Sequence, residues 1–166
     1  MNLNIRTETP HDAEHIHTVT EQAFQNAPHT DHTEQFIVQA LRKSDALTLS
    51  LVAEVDGKII GHVAISPVRI SDGAAHWFGL GPISVLPEYQ GQGVGSQLMK
   101  RALADLDAKG ASGCFVLGDP HYYGRFGFKV VEGLVFPGVP AEYFQAVSFG
   151  AAFPQGEVTY HDAFSA

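Results

Sequence analysis

The stretch QGQGVGS, Gln90 to Ser96, sets a glycine at every second position between an apolar run ending at Val85 and an amphipathic segment that begins at Val94. Glycines so spaced allow backbone N–H groups to converge on an anion, because they carry no Cβ and tolerate positive φ. A nucleotide P-loop needs Lys and then Ser or Thr after its last glycine; Ser96-Gln97 stand there instead, which excludes it. A dinucleotide fingerprint needs a glycine where Ser96 stands and an acidic residue about twenty positions on. Asp119 is too distant for that, and antiparallel strands precede the loop. Two possibilities remain: a pyrophosphate cradled at a helix N-terminus, or a tight strand-to-helix turn that needs glycine for geometry alone. The loop by itself does not separate them.

Other residues with chemical potential are mostly accounted for by structure. Cys114, the only cysteine, lies in the apolar run GCFVLG with no basic neighbour to lower its pKa, so it reads as inert core packing. A lone cysteine also excludes an intrachain disulfide framework and any multi-cysteine metal site. His11 and His15 are spaced i, i+4, with His17, His29 and His32 close along the chain. A helical metalloprotease site would carry Glu directly after the first His; HDAEH has Asp there and its Glu misplaced, so a solvated helix face and no metal are expected. His62 and His76 read as structural or exposed histidines, and Lys100 and Arg101 as solvated cations.

These side chains must be held by one core: 166 residues, 45% hydrophobic, favour a single domain. The net charge of −8 is the wrong sign for a nucleic-acid partner. An anionic ligand must therefore be attracted locally, by backbone N–H groups or a helix dipole. The N-terminus lacks the pattern of a signal peptide and no apolar run is long enough to span a bilayer, so a cytoplasmic protein without membrane association is expected.

Leu3 begins a short strand. A helix follows, with Thr9 as N-cap, Pro10 first, Asp12 at capping-box spacing and Ala13, Ile16, Val19 and Ala23 as its apolar stripe. A second helix is expected from Asp31, capped by Asp31 with Glu34, burying Phe36, Ile37, Ala40 and Leu41. From Leu47 the period drops to two, predicting a half-buried strand that turns at Asp56-Gly57, runs back through KIIGHVAISPVRI and turns again at Asp72-Gly73. Three consecutive antiparallel strands result. After the glycine loop, Val94, Leu98, Met99, Ala102 and Leu106 mark a helix ending at Lys109-Gly110, then comes the strand GCFVLG, parallel to the one before the loop. Further strands are expected near Phe128 and from Tyr143 to Phe149.

The run ISVLPEYQGQGVGSQLMKRAL resembles the acyl-CoA-binding motif of the GNAT superfamily of N-acetyltransferases, whose signature is Gln or Arg, two residues, Gly, one residue, Gly or Ala. Gln90, Gly93 and Gly95 hold those places after the lead-in V-x-P-E-Y from Val85, and YGRFGF supplies the family's second landmark, Tyr123 five residues before Phe128. The order of elements agrees over nearly the whole chain, and LGDPHYYGRFGF with SLVAEVDGKIIGH is most like the bacterial YhbS-type members. The resemblance implies an α/β domain spanning residues 1–166, with a mixed, mostly antiparallel central sheet flanked by helices on both faces.

It further implies acetyl-CoA as acyl donor. The backbone of Ile83 and Val85 pairs with the pantetheine arm, and N–H groups of Gln90, Gly91, Gln92, Gly93, Val94, Gly95 and Ser96 hold the pyrophosphate. Tyr123 takes the family's general-acid place, with Tyr122 as fallback. FGLGPIS carries no ionisable side chain, which leaves the base open; Asp119, after the parallel strand's C-terminal end, is the first candidate. Direct transfer to a primary amine, on a small molecule or a protein, is expected, the rival being an acyl-CoA-binding module without turnover. Monomer and homodimer are both compatible with the sequence.

Overall fold

The computed structural model describes residues 1–28 and 30–165. The chain runs β1 (Leu3–Thr7), α1 (Ala13–Phe24), α2 (Glu34–Lys43), β2 (Leu49–Val55), β3 (Lys58–Pro67), β4 (Arg69–Ile70), β5 (Trp77–Val85), α3 (Val94–Ala108), β6 (Gly113–Leu117), α4 (Pro120–Tyr123), β7 (Leu134–Val135), β8 (Phe144–Ser148) and β9 (Gly156–Thr159). Six strands form a sheet in the order β1-β2-β3-β5-β6-β8, and β4-β9-β7 form a second one. Every pair in the large sheet is antiparallel except β5 with β6, as the strand-helix-strand order around the glycine loop required.

The expected half-buried strand from Leu47 is instead buried on both faces, with only Glu54 of β2 partly open. α3 covers one face: a Cβ on Gly61 of β3 would meet Leu98 and Val94 at about 3.2 and 3.3 Å. The next side chain, His62, points the other way. On that face its cross-strand partner Ser84 lies 3.5 Å from Thr20 of α1. The turn at Asp56-Gly57 places both residues at positive φ, 50° and 79°, as a tight two-residue hairpin demands.

Three expectations shift. α2 starts at Glu34 rather than Asp31, and it buries Gln35, Val38 and Leu41 while Phe36 stays 54% exposed and packs edge-on against His17. The apolar residues of α2 serve two cores: Val38 joins the sheet, whereas Ile37, Ala40 and Leu41 meet Ala163 and Phe164 near the C-terminus. Between β3 and β5 the chain detours through β4 into the small sheet, whose strands of two to four residues carry no readable period. Near Phe128 there is only an isolated bridge, Lys129 to Ala146, while β8 occupies most of the expected Tyr143–Phe149 strand. The small sheet closes a second core of Ile70, Trp77, Phe115, Leu134, Phe144, Ala146, Val158 and Tyr160, in which Phe115 and Phe144 stack with centroids 5.2 Å apart.

At the N-terminal edge, Arg6 of β1 binds Asp12 (Nη1 to Oδ2 2.7 Å) and Glu54 (Nη2 to Oε2 3.2 Å), and Asp12 Oδ2 accepts from the Thr9 N–H at 2.7 Å. The Arg6 hydrogen bond holds the Asp12 carboxyl well below the usual carboxylate range, assisted by Thr9 and opposed by burial. A folded-state pKa below the unfolded one gives stability that is present above about pH 4 and is lost as pH falls through the folded value. Replacing Asp12 by Ala should therefore lower stability by about 1–3 kcal/mol at pH 7. Urea unfolding should show the gap to wild type narrowing on going from about pH 4 to about pH 2.

Candidate functional site

β5 and β6 pair only at Trp77–Gly79 against Gly113–Phe115. Beyond Gly79, β5 continues to Val85 with no strand on its β6 side, because β6 keeps β8 as its antiparallel partner up to Leu117. β5 also takes one residue more than β3 between Leu80 and Ile83, opposite Ile65 and Val63, so the strand bulges around Gly81-Pro82. The result is an open strand edge carrying Ile83 and Val85, and a gap leading from Gly79 toward the glycine loop.

That loop is built for a close approach. Gly91 and Gly93 have φ of 76° and 84°, so at both positions the left-handed backbone accounts for glycine. Gly93 is the N-cap of α3 and offers no side chain to cap it, which leaves the first N–H groups of the helix directed at the loop. Gln90 does not point into the cradle; its Nε2 donates to the Val85 carbonyl at 2.9 Å and ties the loop to the end of β5, while Gln92 Nε2 donates to the Glu88 carbonyl at 3.2 Å. A cavity of about 360 Å³ lies here, lined by Val85, Tyr89, Gln90, Gly91, Gly93, Val94, Gly95, Ser96, Tyr122 and Arg125.

Arg125 was missed from the sequence, and Tyr122, expected there only as the fallback acid, lines this cavity. Tyr122 brings its hydroxyl to 3.5 Å from Ser96 Oγ, and Arg125 lies over the Tyr122 ring with its guanidinium carbon 4.6 Å from the centroid. The Arg125 guanidinium is exposed at the cavity rim, a bidentate donor of the kind that suits phosphate oxygens. A glycine loop draws attention to itself, whereas a cation thirty residues away reaches the same cavity only through the fold.

Tyr123 sits on α4, whose N-cap is Asp119: Asp119 Oδ1 accepts the His121 N–H at 2.9 Å, and its carbonyl accepts from Tyr123 at 3.0 Å. The Tyr123 ring lies against Gly118 and edge-on to Phe128, with centroids 6.1 Å apart. Burial, then the charges of Tyr122 and Asp119, push its phenol up to about 12, so it remains protonated through neutral and mildly alkaline pH. Asp119 thus has an evident structural use, and its exposed carboxylate also stands close enough to act on Tyr123 electrostatically.

The remaining candidates separate cleanly. Cys114 is fully buried, with its thiol pushed up by desolvation. His62 is fully buried on β3, its imidazole pushed down to about 4 by burial, and its Nε2 lies 2.8 Å from Ser50 Oγ. Ser50 in turn hydrogen-bonds Glu8, which Arg42 holds through Nη2 at 2.9 Å. His76 is an exposed residue with φ 66°. Arg101 pairs with Asp105 at 3.0 Å and Lys100 is exposed. His11 and His15 are exposed around α1, and His29 lies outside the described residues. Among the described residues no group of three His, Cys, Asp or Glu could hold a metal ion, and no helix is long and apolar enough to cross a membrane.

Comparison with known proteins agrees with this geometry. The model of the acetyltransferase (GNAT) domain family matches residues 4–131. The uncharacterized N-acetyltransferase YhbS of Escherichia coli K12 is 39% identical over 127 residues, 76% of this chain and 73% of that protein. The crystal structure of a GNAT family acetyltransferase from Brucella melitensis in complex with acetyl-CoA superposes with a TM-score of 0.88 at 49% identity, covering 98% of each chain. That of Escherichia coli YhbS in complex with CoA gives 0.88 at 34% identity, covering 99% of this chain and 92% of the other.

The two loop glycines differ in a way that unfolding can read. Gly93→Ala forces a left-handed alanine and should cost about 1–2 kcal/mol in urea unfolding. Gly95, already helical, would bring its Cβ to 3.3 Å from Tyr122 Oη. Gly95→Ala should accordingly stay within about 1 kcal/mol of wild type.

Proposed function

This chain belongs to the GNAT acetyltransferase family, and from that premise we propose that it binds acetyl-CoA and transfers the acetyl group directly to a primary amine. The observation that carries this is the open edge of β5 running straight into a side-chain-free helix N-terminus. Ile83 and Val85, the latter with its carbonyl already accepting from Gln90 Nε2, lie on the edge to which the amide-bearing pantetheine arm adds as a strand. The loop from Gln90 to Ser96 and the positive end of α3 receive the pyrophosphate, overcoming locally the chain's net charge of −8. Arg125, lying over the Tyr122 ring, adds a positive charge at the rim.

With the phosphates at the loop, the arm lies back along β5 and the thioester falls toward Gly79, where the strands part. The amine nitrogen forms a bond to the acyl carbon as the carbon–sulfur bond breaks. Tyr123, neutral because buried, gives its proton to the departing thiolate. Asp119 at the exposed side takes the surplus proton from nitrogen and passes it to solvent, from which Tyr123 is reprotonated. No thiol nucleophile is needed: Cys114 is protonated and enclosed.

A thermal-shift titration with acetyl-CoA, CoA, ATP and NAD checks the binding half. The two CoA species alone should stabilise, by about 2.7 kcal/mol at a hundred times their dissociation constant; equal shifts with ATP would remove the proposal. Tyr123→Phe should then lower kcat by about 10²-fold or more while leaving the KM for acetyl-CoA unchanged. The wild-type kcat should show no alkaline decline below about pH 10, because the Tyr123 proton is lost only near 12.

A further inference from the structure

Four buried side-chain atoms among the described residues have no hydrogen-bond partner: Glu34 Oε1, His62 Nδ1, Ser66 Oγ and Tyr160 Oη. Glu34 uses its other carboxylate oxygen on Thr30, and His62 its other nitrogen on Ser50. The hydroxyls of Ser66 and Tyr160 have nothing, although Ser66 is 1% and Tyr160 8% exposed. Both residues border Gly79. Ser66 of β3 is directly opposite Gly79 of β5 in the antiparallel register, so the two residues direct their side-chain positions to the same face. Tyr160, next after β9, lays the hydroxyl end of its ring on that face of Gly79: a Cβ on Gly79 would be 2.9 Å from Tyr160 Cε2 and 3.0 Å from Cζ. Gly79 therefore lacks a side chain because a phenol from the far end of the chain occupies the place.

Gly79 is also the last residue at which β5 and β6 pair. Two unpartnered hydroxyls thus flank the apex of the strand gap, on the face opposite α3. Unpaired buried hydroxyls are costly, and the surroundings offer no relief: Phe136 and Phe164 stand edge-on to Tyr160 at 5.3 and 5.2 Å, and Trp77 and Phe115 belong to the same cluster. Desolvation raises the Tyr160 phenol far above its ordinary value, so it stays neutral.

We propose that Ser66 and Tyr160 form the seat of the acceptor nitrogen and make this chain selective for neutral primary amines on an apolar, uncharged substituent. The inference rests on the acetyl-transfer reading above. A neutral primary amine has two N–H donors and one lone pair. Each hydroxyl oxygen accepts one N–H, and the lone pair is left facing the acyl carbon at the apex. A secondary amine has a single N–H and leaves one hydroxyl unpartnered in an apolar setting, the situation that sites built on hydrogen bonds reject most strongly. The aromatic ring around the seat favours alkyl or arylalkyl substituents over charged ones.

The test uses benzylamine and N-methylbenzylamine as acceptors, with CoA release from acetyl-CoA as the readout and CoA binding measured by calorimetry. The wild type should acetylate benzylamine about 10-fold or more faster in kcat/KM than its N-methyl counterpart. Tyr160→Phe and Ser66→Ala should each lose about 10-fold or more in kcat/KM for benzylamine, with the KM for acetyl-CoA unchanged and melting temperatures not lowered, since each removes an unpaired buried hydroxyl. Equal rates with the two amines, variants at the wild-type rate, or no acetylation of benzylamine by protein that binds CoA would each overturn the seat while leaving acyl-CoA binding intact. The amine comparison needs no variant, so a folding defect in either would not rescue the idea. Absence of CoA binding would instead remove the acetyl-transfer reading, and this inference with it.

Discussion

The divergence of two parallel strands organises the rest of the molecule. β5 and β6 share three residue pairs and then separate, because β6 is held by β8 on its other side and β5 is held by β3 through a bulge. A buried strand edge is ordinarily a defect, since its N–H and C=O groups need partners. Here it is kept open between well-packed neighbours, and the open edge runs into the N-terminus of α3, whose first N–H groups are also without partners. The open edge of β5 and the N-terminus of α3 thus lie in succession along the chain, joined where Gln90 ties the loop to the Val85 carbonyl.

The cost of that open edge is met by the packing around it. β2 and β3 are buried on both faces by α3 and by α1 with α2, a large apolar core for a chain of this size. The second core, under the small sheet, is aromatic and holds the other end of the gap. Charge is handled locally in the same way: Glu8, Ser50 and His62 form a chain from the surface inward that leaves the imidazole neutral and the carboxylate paired with Arg42.

Much of this was legible in the residues. The order of elements, the parallel crossover, the hairpin at Asp56-Gly57 and the glycine loop were readable because each is a local requirement: positive φ, a period of two, a cap. The mixed, mostly antiparallel sheet with helices on both faces was what the GNAT resemblance implied, and the fold has it. Burial of β2 on both faces was not readable, since alternation in Leu49, Leu51 and Ala53 reports which side chains are apolar and not how many layers cover them. The orientation of α2 depended on Ala163 and Phe164, far along the chain. For the site the division is the same. Gln90 and the glycines announced a loop, but Arg125 reaches its cavity only by tertiary proximity, and the missing side chain at Gly79 has meaning only once Tyr160 is seen to fill its place.

That last contact joins the C-terminal segment to a strand completed much earlier. All of β1 to β6, with the glycine loop and α3, is synthesised before Tyr160 leaves the ribosome, whereas a domain folds as a unit. Until Tyr160 emerges, the place beside Gly79 that its ring takes in the folded chain has no occupant. The packing around Gly79 is thus completed only by a residue made after both of the strands it lies on.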